Sequence, residues 1–291
     1  MNQALSSLLD RYSLSDERDW ENALREIVQE LALLGLWRSK FYEHAAFYGG
    51  SALRIFHSLP RFSEDLDFSL LSGTNAFDLS PYLEAIRNEL TAFGFSFDVE
   101  RRIKAQPSAI ESAFIKGNTL INLIEAGIPK GLSTSLHSQA KLKIKLEVDT
   151  DPPSGGDVRV ETLLLPIPFQ VKLFTLPSLF AGKVHALLCR SWQGRVKGRD
   201  FYDFVWYVAR DTPINLAHLE SRMRQSGHYT DTSPLSMEDL REKLALRFDA
   251  VDFNQAAGDV LPFLRDPAEV ELWSSDFFKS LIGRLRAEEP V

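Results

Sequence analysis

The chain has a single cysteine, Cys189, in 291 residues, so no disulfide can form within it. Cys189 sits in an apolar, helix-like run, where a buried and inert thiol is expected. No apolar run approaches the ~20 residues that span a bilayer. Met1–Trp20 is largely polar with four acidic residues and does not resemble a signal peptide, so a cytoplasmic protein is expected. His44, His57, His137, His185, His218 and His228 form no pair at metal-ligand spacing, and zinc is not expected. Gly-x-x-x-x-Gly-Lys-Ser/Thr is absent, which excludes a P-loop protein. There is no internal repeat and no low-complexity tract. The net charge of −7 argues against general coating of nucleic acid.

That charge is uneven. Residues 99–147 carry eight Lys/Arg against four Asp/Glu, and 183–210 carry six against two. Residues 231–291 carry seven against thirteen. The basic stretches lie mid-chain, beside the residues most suited to chemistry. Residues 47–68 hold a Gly49-Gly50-Ser51 turn after an apolar stretch, an Arg-containing connection, and Asp65-Leu66-Asp67. Glycines let backbone N–H groups approach a phosphate. The short helix expected at 52–57 adds the anion preference of a helix N-terminus. Residues two apart on a strand share a face, so Asp65 and Asp67 point the same way. Two carboxylates near a phosphate cradle make a place for Mg²⁺ bound to a nucleoside triphosphate.

The pattern elsewhere predicts a helix over 16–34, with Gly35 as its stop or with a continuation towards Lys40, and strands at 45–48 and 65–71. It predicts a helix capped by Ser80 and ended at Gly94, and a strand through Phe95, Phe97 and Val99. A hairpin with arms at 113–115 and 119–125 is expected around Lys116-Gly117-Asn118. Residues 141–149 alternate most cleanly. Leu142, Ile144, Leu146 and Val148 face a core, and Lys141, Lys143, Lys145, Glu147 and Asp149 share the other side. An edge strand often carries such charges, but here the acids come last, at the strand's C-terminal end, which suits a metal–phosphate site. A strand at 171–175, a turn at 193–198 and helices at 177–192, 199–209, 216–225, 234–248, 254–264 and 268–286 complete the reading. An α+β part followed by a helical part is the expected organisation.

Gly-Gly-Ser, then Asp-x-Asp, then Glu-x-Asp resembles the nucleotidyltransferase superfamily that includes polymerase β. More closely, Gly49–Arg54 with Arg61–Phe68, Leu179–Arg190 and Lys197–Asp203 is similar to the AbiEii/AbiGii toxin family of type IV toxin–antitoxin systems. The resemblance covers about 47–210. It implies a polymerase β-like α+β fold, a mixed sheet flanked by helices over 1–175, with a helical domain over 176–291 that completes the active site. It implies a nucleotidyltransferase that moves a nucleoside monophosphate from a Mg²⁺-bound NTP to an acceptor and releases pyrophosphate. Two metal ions on the order of 4 Å apart can stabilise the attacking and leaving oxygens. Asp65 and Asp67 would hold them, with Glu147 or Asp149 as the third acid. Glu147 is favoured by its apolar flanks, Leu146 and Val148. Gly49, Gly50 and Ser51 would hold phosphates, with Arg54, Arg61 and Arg199 as helpers. Lys183 would offset the triphosphate charge, and Asp200 would belong to the site. The implied role is a toxin acting on tRNA, with a separately encoded antitoxin of transcriptional-regulator type. A protein or small-molecule acceptor, or a non-catalytic nucleotide-binding protein, are the other readings. The gap from Ser51 to Asp65 is long for the superfamily, and Gly182 stands where a larger, often acidic residue is expected.

Overall fold

The computed structural model describes residues 3–74, 76–102, 108–133, 138–191, 194 and 196–289. In chain order the first elements are α1 (Gln3–Leu9), α2 (Glu17–Arg38), β1 (Ala45–Tyr48), α3 (Gly49–His57), β2 (Leu66–Leu70) and α4 (Ser80–Ala92). Next come β3 (Asp98–Arg102), β4 (Ile110–Asn118), α5 (Thr119–Glu125), α6 (Lys130–Ser133), β5 (Lys141–Asp149), β6 (Val158–Leu163) and β7 (Phe169–Phe174). Helices follow: α7 (Leu176–Cys189), α8 (Gly198–Ala209), α9 (Leu216–Gln225), α10 (Met237–Asp249), α11 (Phe253–Val260) and α12 (Ser275–Ile282). The fold is α+β. No helix among the described residues is long and apolar enough to cross a membrane.

The chain divides into two units. The first is Met1–Phe56, Ser63–Pro152 and Val160–Leu173, and holds the core of a seven-stranded mixed sheet in the order β3-β4-β5-β2-β1-β7-β6. Strand β2 runs antiparallel to β1 and parallel to β5, while β4 runs antiparallel to β3 and β5. One face of the sheet is dry. Phe47, Leu66, Phe68, Ala113, Ile115, Leu142, Ile144, Leu146 and Val148 are buried there in one cluster with Leu24, Ile27, Val28, Leu31 and Leu34 of α2. Asp16 caps α2 by accepting from the Asp19 N–H at 2.8 Å.

Helix α2 does not stop at Gly35 but runs on to Arg38. Gly35 is instead a crossing point. A Cβ built on it would lie 2.9 Å from the Ala85 carbonyl oxygen and from the Ile86 Cα of α4. Close backbone approach, not helix termination, requires glycine there. The hairpin expected around Lys116-Gly117-Asn118 is absent. Strand β4 runs straight through those residues, and the Asn118 side chain then caps α5 by accepting from the Ile121 N–H at 3.0 Å. The cap signal of an Asn before a helix resembles a turn signal locally, and the pairing partner decides between them. Ser80 is the first residue of α4, not its cap, with Leu79 at the cap position. The strand expected through Phe95 begins only at Asp98. The edge strand β6 was not expected, because Pro and Gly before it masked its short alternation.

The second unit is His57–Phe62, Pro153–Arg159 and Phe174–Val291. Its core is aromatic: Phe201, Phe204, Phe248, Phe253, Trp273 and Phe278 are buried, with the Phe253 and Phe278 rings stacked at 4.6 Å. The single helix expected over 268–286 is a short 3₁₀ turn at Pro267–Val270 followed by α12, whose cap is Ser274. Gln193 and Arg195 of the turn expected over 193–198, Trp192 at the end of the helix expected before it, and His137 lie outside the described residues.

The Gly35 crossing gives a test with a definite sign. Alanine in a helix is ordinarily worth up to about 1 kcal/mol over glycine, but overpacking costs about 1–3 kcal/mol. Gly35→Ala is expected to lower the thermal midpoint, and an increase would show that the crossing is looser than described.

Candidate active site

The carboxylates lie on the sheet face opposite the dry core of the first unit. Leu66 and Phe68 point inward from β2, so Asp67 between them points outward. On β5 the same alternation buries Leu146 and Val148 and turns Glu147 out. The parallel pairing sets Asp67 directly beside Glu147. Asp149 lies one step further along, opposite Ser69, and accepts from the Asp151 N–H at 3.1 Å. Asp65 precedes β2 and is half-buried. The Glu147 carboxylate is held by Lys145 Nζ at 2.7 Å and accepts from Ser112 Oγ at 3.2 Å.

The Gly-Gly-Ser turn abuts these acids. Helix α3 begins at Gly49 itself, three residues earlier than expected. Gly49 has φ +82°, a left-handed conformation natural to glycine. A Cβ there would lie 2.5 Å from Asp67 Oδ2. Buried Ser51 donates its hydroxyl to the Asp65 carbonyl oxygen and so ties the start of α3 to the approach to β2. Buried Gln29 of α2 donates to the Ser63 carbonyl oxygen at 3.2 Å and reaches Ser51 Oγ at 3.4 Å. Arg54 is turned onto Glu26, Nε to Oε2 at 2.7 Å.

All-oxygen donors in register suit a hard divalent cation such as Mg²⁺, and the space that Gly49 leaves beside Asp67 suits one as well. Among the described residues no three His, Cys, Asp or Glu side chains are already gathered around one point as a metal would need. Glu147 is turned toward Lys145 in this arrangement.

The second unit holds a buried ion cluster. Lys183 projects from α7 to Asp200 Oδ1 at 2.7 Å and Asp203 Oδ2 at 2.8 Å. Asp200 and Asp203 are three apart on α8 and therefore share a face. Asp203, fully buried, also receives Arg61 Nε and Nη2 at 2.6 Å each, a bidentate pair. Asp200 Oδ2 receives Arg190 Nη1 at 2.7 Å. Burial alone would lower the Lys183 pKa, but Asp200 and Asp203 outweigh it and hold it above its ordinary value. Burial pushes Asp203 the other way, and Arg61 and Lys183 bring it below the usual carboxylate range. Among the described residues, three cations against two carboxylates leave the cluster net positive.

These are the motifs of one family. Residues 31–279 match the family described as "Nucleotidyl transferase AbiEii toxin, Type IV TA system". The chain belongs to the AbiEii nucleotidyltransferase toxin family. Two solved Helicobacter pylori structures align with this AbiEii chain at 16% identity each. One, assigned as a nucleotidyltransferase, covers 89% of this chain and 90% of its own with a TM-score of 0.45. The other, JHP933, covers 93% and 92% with a TM-score of 0.48. No curated protein matches.

Within this AbiEii chain, the residues proposed from sequence fall into two groups. Gly49, Gly50, Ser51, Asp65, Asp67 and Glu147 come together in the first unit, and Lys183 and Asp200 in the second. Arg199 lies over the Phe263 ring at 4.3 Å. Arg61, expected as a helper toward phosphate, is bonded to Asp203 instead. Asp203 went unassigned although the i, i+3 spacing from Asp200 could have shown it. Gln29 was read only as part of an apolar helix. Gly182 leaves a Cβ position 3.9 Å from the Arg222 Cζ. Burial pushes the Cys189 thiol up to about 11, so it is inert at neutral pH.

Breaking a buried ion pair by removing one partner costs about 3–5 kcal/mol. Asp203→Ala is expected to lose that much in urea unfolding, more than Arg54→Ala at its less deeply buried pair. Because the folded pKa of Asp203 is depressed, its stabilisation is complete above its ordinary value of 3.8 and is lost as pH falls through the lower folded value. The stability gap between wild type and Asp203→Ala should therefore narrow in acid, and a constant gap down to pH ~2 would contradict the assignment. Gly49→Ala combines a strained φ with a collision on Asp67 and is expected to cost about 1–3 kcal/mol, read from the same urea curves.

Proposed function

We propose that this AbiEii family member transfers a nucleoside monophosphate from a Mg²⁺-bound NTP to an RNA acceptor, with tRNA as the acceptor that the family resemblance favours. The observation that carries the reading is the cross-strand neighbourhood of Asp67 and Glu147, with the Gly49-Gly50-Ser51 turn packed on Asp67. Asp65, Asp67 and Glu147 would hold Mg²⁺, with Asp149 the next donor along β5. Bound there with the NTP, Mg²⁺ would neutralise triphosphate charge and make the α-phosphorus a better electrophile.

The chain's own residues supply the rest. Backbone N–H groups of Gly50 and Ser51, at the start of α3, take phosphate oxygens. The Ser51 hydroxyl serves the site indirectly, by holding the Asp65 carbonyl and so the loop that presents Asp65. Lys183, kept charged by two aspartates, offsets negative charge on the triphosphate. Asp200 positions Lys183 and also accepts from Arg190. In the transfer, a bond forms between the acceptor oxygen and the α-phosphorus, the bond to the bridging oxygen breaks, and pyrophosphate leaves. A type IV toxin–antitoxin assignment brings a separately encoded antitoxin, for which a transcriptional regulator is the proposed type. A cytoplasmic location accords with the acceptor and with the lack of a membrane-length apolar helix among the described residues.

The reading is tested by incubating each of the four α-labelled NTPs with total RNA and the protein. Label is expected on RNA with at least one NTP, and Asp67→Asn is expected to cut the rate by about 10²-fold or more. Label that survives RNase on protein bands would replace the RNA acceptor by a protein one. Growth inhibition unchanged by Asp67→Asn would point to a non-catalytic binding protein.

A further inference from the structure

The outward face of β3, β4 and β5 continues from the carboxylates into a basic surface centred on one aromatic ring. Phe114, half-buried in the middle of β4, has Lys143 Nζ 4.0 Å, Lys116 Nζ 5.1 Å and Arg102 Cζ 5.9 Å from its ring centroid. The register orders the face in rows. Glu147 lies opposite Ser112, Lys145 opposite Phe114, Lys143 opposite Lys116, and Lys141 opposite Asn118. On β3, Arg102 lies opposite Ser112, Glu100 opposite Phe114 and Asp98 opposite Lys116, so two acids stand among the cations. Lys141 and Lys143 are exposed. Lys145 is engaged with Glu147, and Lys116 with Glu100 at 3.2 Å.

Two structural facts remove the bland explanation of these charges. Lysines protect the edge strands of sheets, but β5 is not an edge, since β4 and β2 flank it. Lys116 and Lys143 are also directly opposed across two strands, where like charges destabilise a sheet, an effect that the Lys116–Glu100 pair offsets in part. An arrangement that costs stability and collects positive charge around a π-face matches what single-stranded nucleic acids need: cations for the phosphates and an aromatic platform for a base.

We propose that this face, with Phe114 as the stacking platform and Arg102, Lys116, Lys141 and Lys143 around it, binds the single-stranded end of the acceptor nucleic acid. The direction of travel, along the rows toward Glu147 and Asp67, rests on the nucleotidyl-transfer reading above. Binding itself does not.

The test uses the full chain and a fluorescein-labelled single-stranded RNA of about a dozen nucleotides, followed by anisotropy without NTP. Lys143→Gln is expected to weaken binding and to reduce the slope of log affinity against log salt by about 0.7. Phe114→Leu, which keeps the apolar volume, is expected to weaken binding roughly tenfold, while Phe114→Trp retains it. In the transfer assay both weakening variants should raise the acceptor KM and leave the NTP KM in place. Wild-type protein that fails to bind the oligonucleotide, or variants that bind as wild type does, would overturn the proposal. If wild type labels RNA and the variants leave the acceptor KM unchanged, this surface is wrong and the transfer reading stands. If the variants lose oligonucleotide binding but wild type labels no RNA, the surface stands and the transfer reading fails.

Discussion

The parallel pairing of β2 with β5 is the constraint on which the acidic site depends. Asp67 and Glu147 are eighty residues apart in the chain and belong to strands whose other faces are buried. A slip of one residue in either strand would send its acid into the core and expose its apolar set. The register is therefore fixed by Leu66, Phe68, Leu146 and Val148, not by any attraction between the acids. Two carboxylates side by side repel. The hydrophobic face supplies the free energy that keeps them together, at about 1.5–3 kcal/mol for each large apolar side chain fully buried. Lys145 and Ser112 hold Glu147 in the present arrangement.

The second unit solves the opposite problem of keeping a lysine charged out of water. An isolated buried ammonium gives up its proton. Here two aspartates receive Lys183, and each aspartate has a further arginine partner. The bidentate Arg61–Asp203 pair means that neither carboxylate depends on the lysine alone for compensation. The lysine is thus held without being fully neutralised, since the cluster carries one more cation than anion.

Much of this was legible before any coordinates, and the reasons differ by element. Strand β5 was readable to the residue because strict alternation over nine positions has few competing explanations. Strand β1 was readable because Gly49 ends it. The acids followed from their place in these strands. Three of the failures share a cause, in that the deciding partner lay far away in sequence. Gly35 looked like a helix stop because nothing nearby announces the backbone of α4. Lys116-Gly117-Asn118 looked like a turn because the strand that pairs through it, β5, comes more than twenty residues later. Arg61 looked like a phosphate ligand because Asp203, its partner, is 142 residues away.

The same separation explains why a net charge of −7 misleads about this molecule's partners. Net charge sums over the whole surface, and the acidic excess of 231–291 dominates the sum. A ligand at the β3–β5 face meets local potential instead, which falls off over about 10 Å at ordinary ionic strength. Within that distance of Phe114 stand Arg102, Lys116 and Lys143, against the carboxylate of Glu100 on the neighbouring strand. The lysines of β5 precede Glu147 on one continuous face, so the cations proposed to hold an anionic chain and the acids proposed to hold a metal are one strand's alternate residues. Nine residues with a period of two are enough to place both sets of charges. The apolar half of that period anchors both.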